Sequence, residues 1–271
     1  MKRHDKLAET IPVGNLGILA LESSKEMGQR VNDYIVEWRQ ERSRMEAPAS
    51  SIAGYSKDSY LIDCVCPRFG SGEAKGLIRE SVRGDDLFLL VDVCNYSLTY
   101  SMSGNTNHMS PDDHYQNLKR IIAAVGGKAK RINVIMPFLY EGRQHRRTKR
   151  ESLDCAVALQ ELQTMGVSNI LTFDAHDPRV QNAVPLMGLD NIIPSYQVLK
   201  AMFKNLSDFR PDKDHFMIIS PDEGAINRNM YYASVLGVNL GMFYKRRDYS
   251  KVINGRNPIV AHEFLGSSVE G

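Results

Sequence analysis

Short apolar runs of strand length recur along this chain, each followed by a stretch with helical periodicity, and that alternation most restricts its fold. In the first part the runs are GILAL at 17–21, LFLLVDV at 87–93, INVIM at 132–136 and NILTF at 169–173. The run at 87–93 is a continuous one of the length of a strand buried on both faces. After the first run, Met27, Val31, Ile35 and Trp38 recur at helical spacing, with Ser23 or Ser24 as the expected N-cap. A loop rich in Ser, Asn and Gly is expected from Asn95 to Pro111, then a helix over about 113–125. Another helix is expected over 151–165, with Leu153, Val157, Leu159, Leu162 and Met165 as its stripe and Gly166 closing it.

The second part repeats the theme, with strands near 191–193, 216–219 and 239–243 and helices near 195–206 and 223–236. The pattern predicts an α/β chain with mostly parallel sheets covered by helices, divided into domains 1–190 and 191–271. A last strand-like run at 259–264 stands close to Gly271. The second domain is therefore expected to be short of strands at its C-terminus, or to borrow elements from a partner.

A formal net charge of +2 argues against a general nucleic-acid surface, so a polyanion site has to be local. No apolar run approaches the ~20 residues that span a bilayer. The charged start MKRHDKLAET lacks the apolar segment of a secretory signal. Cys64, Cys66, Cys94 and Cys155 form neither a zinc-ribbon nor a redox spacing and are expected as reduced thiols, with Cys64 and Cys66 buried. A cytoplasmic protein without nucleic-acid or membrane partners is the expectation.

Asp174 and His176 follow the run at 169–173, and open α/β sheets bind ligands at the C-terminal ends of their strands. Two residues apart on an ideal strand, they would share a face. They could take a hard cation and a phosphate or metal-bound water. Alternatively, Asp174 caps a helix starting near Asp177-Pro178 and His176 bonds locally. Asp222, between Ser220-Pro221 and Gly224, is either a second metal-linked carboxylate or a helix N-cap. Arg143, Arg146 and Arg147, with Lys149 and Arg150, form a basic run that is either a solvated face or a polyphosphate clamp. Lys245-Arg246-Arg247 is expected to open a loop containing Gly255 and Pro258, which either closes over transferring phosphoryl oxygens or is solvated. Carboxylates and a histidine facing clustered cations suit a magnesium–polyphosphate ligand.

Six segments, in order, resemble the ribose-phosphate diphosphokinase (PRPP synthetase) family. Arg68-Phe-Gly-Ser-Gly-Glu73 is similar to its R-F-S-D-G-E segment and Ser81-Val-Arg-Gly-Asp-Asp-Leu-Phe88 to N-V-R-G-x-D-(IV)-F. Residues 137–147 resemble P-Y-x-x-Y-A-R-Q-D-R-(RK). Thr172–His176 parallels T-x-D-L-H, Ser220–Gly224 parallels S-P-D-x-G, and Lys245–Arg247 matches K-R-R. The resemblance implies two type I phosphoribosyltransferase-like domains in a homo-oligomer. It also implies transfer of the diphosphoryl group of Mg-ATP to the 1-hydroxyl of ribose 5-phosphate.

By motif position Phe69, Ser71 and Glu73 would lie near adenine, and Arg143, Gln144 and Arg146 would hold ATP phosphates. Asp174, His176 and Asp222 would serve Mg2+. Lys245 would be the catalytic cation, with Arg247 neutralising the transferring group or the sugar phosphate. Ser71 replaces an acid of the pattern, His145 replaces the Asp of R-Q-D, and Glu141-Gly142 replaces Tyr-Ala. The family's pentose-phosphate loop would follow Gly271, so the chain as written is expected to bind the sugar phosphate poorly. Residues 41–59 are expected to be an insertion relative to the compact form. Those departures motivate an alternative, a catalytically silent regulatory or scaffolding relative. A phosphoribosyltransferase proper would share the fold without needing the Arg-Gln cluster.

Overall fold

The computed structural model describes residues 12–45, 54–248, 250–251 and 257–266. They form two compact units, Met1–Ile193 and Pro194–Gly271.

The first unit is built on five parallel strands: β1 (Leu16–Ala20), β4 (Asp86–Leu90), β7 (Arg131–Ile135), β8 (Asn169–Phe173) and β9 (Gly188–Ile192), in the order β1-β4-β7-β8-β9. Alternate residues of β4 serve two cores. Leu87 and Leu89 pack with α2 (Pro111–Val125) and α3 (Asp154–Thr164), while Leu90 packs with Ile18 and Tyr60 beneath α1 (Lys25–Met45). Burial on both faces is what the continuous apolar runs require.

Helix α2 has a complete start signal: Ser110 accepts from the Asp113 N–H, Asp113 accepts in return from the Ser110 N–H, and Pro111 opens the first turn. Its end at Gly126 (φ 61°) is the left-handed stop that glycine permits. At the base of the sheet, buried Asp86 accepts from Arg131 Nε (2.8 Å) and Asn133 Nδ2 (2.9 Å).

Several expectations are corrected. Ser23 and Ser24 do not stand outside α1 as caps. They form a 3-10 turn running into it, and Ser23 Oγ accepts from the Asp92 N–H at 3.1 Å. Trp38 and Val157 have the right spacing but are 62% and 60% exposed, outside their helices' packed stripes. The 95–111 segment contains a hairpin, β5 (Thr99–Met102) and β6 (Asn105–His108). Helix α3 starts at Asp154 because Gln144 Nε2 holds the Ser152 carbonyl at 2.7 Å, keeping the preceding residues in the loop. The strand expected at 191–193 is β9, the edge of the first sheet. Gly188 admits it there, since a Cβ would lie 2.0 Å from Asn169 Oδ1. A small antiparallel pair, β2 (Cys64–Val65) and β3 (Leu77–Ile78), completes this unit. Cys64 is buried and Cys66 half-buried, both as free thiols.

The second unit contains α4 (Ser195–Asn205), β10 (Met217–Ser220), α5 (Ile226–Leu236), β11 (Asn239–Arg247) and β12 (Ile259–Leu265). Strands β10 and β11 are parallel, and β12 returns antiparallel to β11. The Lys245–Arg247 triplet does not open a loop. It is the end of β11, paired with β12 as Lys245↔His262 and Arg246↔Ala261, because alternate backbone groups of a long strand need a ladder partner. Gly255 lies outside the described residues. Among the described residues no helix is long and apolar enough to cross a membrane.

Candidate functional site

The C-terminal ends of β7 and β8 are neighbours in the first sheet, and two of the motifs leave from them. After β7 the chain folds into a succession of tight turns. The Gly142 N–H donates to the Leu139 carbonyl (3.0 Å) and the Gln144 N–H to the Glu141 carbonyl (2.8 Å), with Glu141 at φ 55°. These turns leave Arg143 and Arg146 exposed and Gln144 half-buried.

After β8 the chain does not continue as an extended strand. Asp174 adopts φ 50°, its N–H donates to the Ile192 carbonyl (3.0 Å), and the Ala175 N–H donates to Asn191 Oδ1 (2.8 Å). Asp174 and His176 are therefore presented by a sharp turn pinned to β9, not by one face of a strand. A left-handed non-glycine residue at a sheet edge is a form of strain found at binding sites. Asp174 is half-buried and His176 exposed.

The capping alternative belongs to Asp177. Its side chain accepts from the Arg179 N–H at 2.9 Å and starts the 3-10 turn Pro178–Ala183. The Arg179 guanidinium also chelates it, with Nε 2.9 Å from Oδ1. Hydrogen bonds from Arg179, reinforced by the nearby His145 ring, hold the Asp177 carboxyl far below the usual carboxylate range.

The two loops meet through that carboxylate. His145 Nε2 lies 3.4 Å from Asp177 Oδ2, and the His145 and His176 rings stand 5.2 Å apart, tilted by 59°. The cationic loop and the acidic turn thus form one surface at the sheet's C-terminal edge. The Asp177-Pro178 dipeptide signals a capped turn in the sequence. Nothing local connects it to His145.

In the second unit Asp222 takes the capping alternative and also pairs with a lysine. One carboxylate oxygen accepts from the Ala225 N–H (3.2 Å) and caps the following turn, while the other lies 2.7 Å from Lys245 Nζ. Lys245 holds the Asp222 carboxyl below its ordinary value, with the cap bond adding to the effect. Arg246 pairs with Glu263 at 3.2 Å, and Arg247 donates to the Asn257 carbonyl at 3.0 Å. Asp222 thus stands with Lys245 in the second unit, and Asp174 and His176 stand together in the first.

The remaining predicted residues lie on a tight turn of the first unit. The Phe69 N–H donates to the Glu73 carbonyl (2.7 Å), the Gly72 N–H donates to the Phe69 carbonyl (2.9 Å), and Ser71 Oγ donates to Glu73 Oε2 (2.9 Å). Phe69 is 52% exposed. An open aromatic ring beside an oriented carboxylate can stack on a flat heterocycle and accept from its amino group.

Comparison with known proteins shows the family of the chain. Residues 16–166 match the profile of the N-terminal domain of ribose phosphate pyrophosphokinase. The ribose-phosphate pyrophosphokinase of Ralstonia nicotianae is 29% identical over 209 residues, which are 73% of this chain and 60% of the relative. That of Staphylococcus saprophyticus is 26% identical over 215 residues, covering 76% and 62%. That of Corynebacterium ammoniagenes is 26% identical over 250 residues, covering 89% and 64%. The chain thus spans about 60% of the length of these curated relatives. The crystal structure of phosphoribosylpyrophosphate synthetase from Mycobacterium smegmatis shares the fold, with a TM-score of 0.64 and 21% identity over 91% of this chain and 67% of that one. The profile spans more than half of the sequence, and on that ground the chain belongs to the ribose phosphate pyrophosphokinase family.

Proposed function

We propose that this chain works as a ribose-phosphate diphosphokinase, transferring the diphosphoryl group of Mg-ATP to the 1-hydroxyl of ribose 5-phosphate. The observation that most supports this reading is the joining of the 143–147 loop to the 174–177 turn through His145, His176 and Asp177. It brings the loop that carries Arg143 and Arg146 against the turn that carries Asp174 and His176, which supports a site for a magnesium-bound polyphosphate.

In this reading Phe69, Ser71 and Glu73 receive the base, and Arg143, Gln144 and Arg146 hold the phosphates. Asp174 is suited to Mg2+, which takes few protein oxygen ligands and leaves its other positions to water and phosphate oxygens, and His176 to a metal-bound water or a phosphate. Asp222 is the carboxylate that the second unit offers. When bound, the ion neutralises charge on the transferring phosphoryl oxygens. Lys245, on a paired strand of the second unit and held by Asp222, is the cation assigned to neutralise the negative charge that would grow as the sugar oxygen bonds to the β-phosphorus. The bond from that phosphorus to the α-phosphate oxygen breaks, AMP leaves, and the hydroxyl proton passes to solvent. Arg247 shares the neutralising task. The protein is proposed to act in the cytoplasm as a homo-oligomer.

The test is AMP release from Mg-ATP with and without ribose 5-phosphate. It is run on this chain and on the complete reading frame containing it. Sugar-dependent AMP is expected from the complete protein. Its absence would sink the reading in favour of a catalytically silent subunit. That second reading is motivated by His145, which stands at the family's acid position and faces Asp177.

A further inference from the structure

The β5–β6 hairpin is closed by Ser103-Gly104, with φ of 50° and 82°, the two positive values that a tight two-residue turn needs. It touches the 68–74 turn at three points. The Arg68 guanidinium lies 4.0 Å over the centre of the Tyr100 ring. The Ser103 N–H donates to the Gly70 carbonyl at 3.0 Å. Gly72, at φ 90°, runs so close to the hairpin that a Cβ would lie 2.7 Å from the Met102 sulfur.

Arg68 is the centre of this joint. Its side chain is 13% exposed and donates to the Gly72 carbonyl at 2.8 Å and to Asp113 Oδ1 at 2.9 Å. Asp113 is itself fixed, since its other oxygen accepts from the Ser110 N–H at 3.0 Å at the start of α2. One guanidinium therefore ties the turn to a helix and, through the Tyr100 face, to the hairpin. Beside this joint a cavity of about 370 Å³, lined by Arg68, Thr99, Tyr100, Cys64 and Cys66, separates part of the hairpin from the core. The contact on Arg68 is one of the three by which the hairpin is seated on the turn.

We infer that Tyr100 is a positioning residue for the nucleobase. Acting through Arg68, it holds the 68–74 turn in the conformation that exposes Phe69 and orients the Glu73 carboxylate. The inference rests on the diphosphokinase reading for the identity of the ligand as a nucleotide. Tyr100 itself touches no ligand. Removing its ring frees the guanidinium from one side, and the turn loses its set geometry without any change in the phosphate-holding loop at 143–147.

Titration calorimetry on the complete protein, with Mg-ATP and with magnesium tripolyphosphate as a probe lacking the base, separates these effects. Tyr100→Ala is expected to weaken Mg-ATP about ten-fold, the order of a lost partly buried cation–π contact, and to leave tripolyphosphate within about two-fold. Tyr100→Phe keeps the aromatic face and is expected to bind both like the parent. In turnover, Tyr100→Ala should raise KM for ATP and spare kcat. If Tyr100→Ala does not fold, Arg68→Lys, which keeps the charge but not the planar fork, is expected to give the same selective loss.

Equal loss of both ligands, or no loss of either, overturns the inference. So does a parent protein that binds ATP no more tightly than tripolyphosphate. Base-selective binding that responds to Tyr100, in a protein releasing no sugar-dependent AMP, sinks the transfer reaction and leaves the positioning role standing.

Discussion

Lys245 Nζ lies 2.7 Å from Asp222 Oδ2, so the end of one strand is tied to the turn that follows its parallel neighbour. The contact joins a cation and a carboxylate 23 residues apart, and it defines what each can do in the second unit.

This pair should matter more for turnover than for stability. Both side chains are about a third exposed, at 33% and 39%, so the pair contributes less than ~1 kcal/mol to folding. Asp222 has a lowered folded pKa. Its contribution is present above the unfolded value near ~4 and is lost as pH falls through the lower folded value. Lys245→Ala in the complete protein is expected to lower kcat by about 10²–10³ with Mg-ATP affinity nearly unchanged. Equal loss of binding and turnover would remove its transition-state role.

His176→Ala should change the magnesium dependence of nucleotide binding. His176 is exposed at the turn after β8, with the His145 ring 5.2 Å away. A magnesium titration at fixed ATP is expected to shift to higher concentration by about ten-fold, the scale of losing one metal-supporting group. An unchanged titration would make His176 a local structural residue.

Restoring the family's acid at position 145 should be harmful here. The His145 and Asp177 side chains are 13% and 11% exposed and face each other at 3.4 Å, so His145→Asp sets two carboxylates together in a poorly solvated place. A loss of about 1–2 kcal/mol is expected in urea unfolding, and Asp177→Ala on the same background should relieve part of it. Additive effects in that double-mutant cycle would show that the two side chains do not interact.

The cysteines should be inert while the protein is folded. Burial pushes Cys64 up to about 12 and Cys66 and Cys155 up to about 11, and Cys94 is raised for the same reason. Only the thiolate reacts, so iodoacetamide at pH 8 should modify Cys64, Cys66 and Cys155 at least about 100-fold more slowly in native protein than in urea. Rapid native labelling of Cys66, which faces the cavity under the hairpin, would contradict the raised value.

Asp86 is expected to be the costliest polar substitution in the first unit. It is 9% exposed and accepts from both Arg131 and Asn133. Asp86→Ala takes from the Arg131 guanidinium its carboxylate and leaves the Asn133 amide only the Leu87 carbonyl, at a cost of about 2–4 kcal/mol measured by urea unfolding. A cost below about 1 kcal/mol would mean that solvent replaces the carboxylate.

The sequence by itself determined the order of the helices and of the main strands, though not the β5–β6 hairpin or the β2–β3 pair. The run Leu87–Leu90 is continuously apolar because both faces of its sheet are covered, and Ser110, Asp113 and Gly126 mark the ends of α2 through local backbone chemistry. The acidic residues after β8 and β10 and the basic run after β7 were legible because each follows a short apolar run along the chain.

Only the tertiary structure decided which of these residues meet. His145 and Asp177 are brought together because β7 and β8 are adjacent in the sheet, and Arg68 meets Tyr100 because the hairpin folds back over the 68–74 turn. Likewise, β9 joins the first sheet because Gly188 leaves room for Asn169, and Lys245 lies in a strand because β12 pairs along its whole end. Periodicity and capping are carried by neighbours along the chain, whereas strand pairing and side-chain partnership between distant segments depend on how the chain closes on itself.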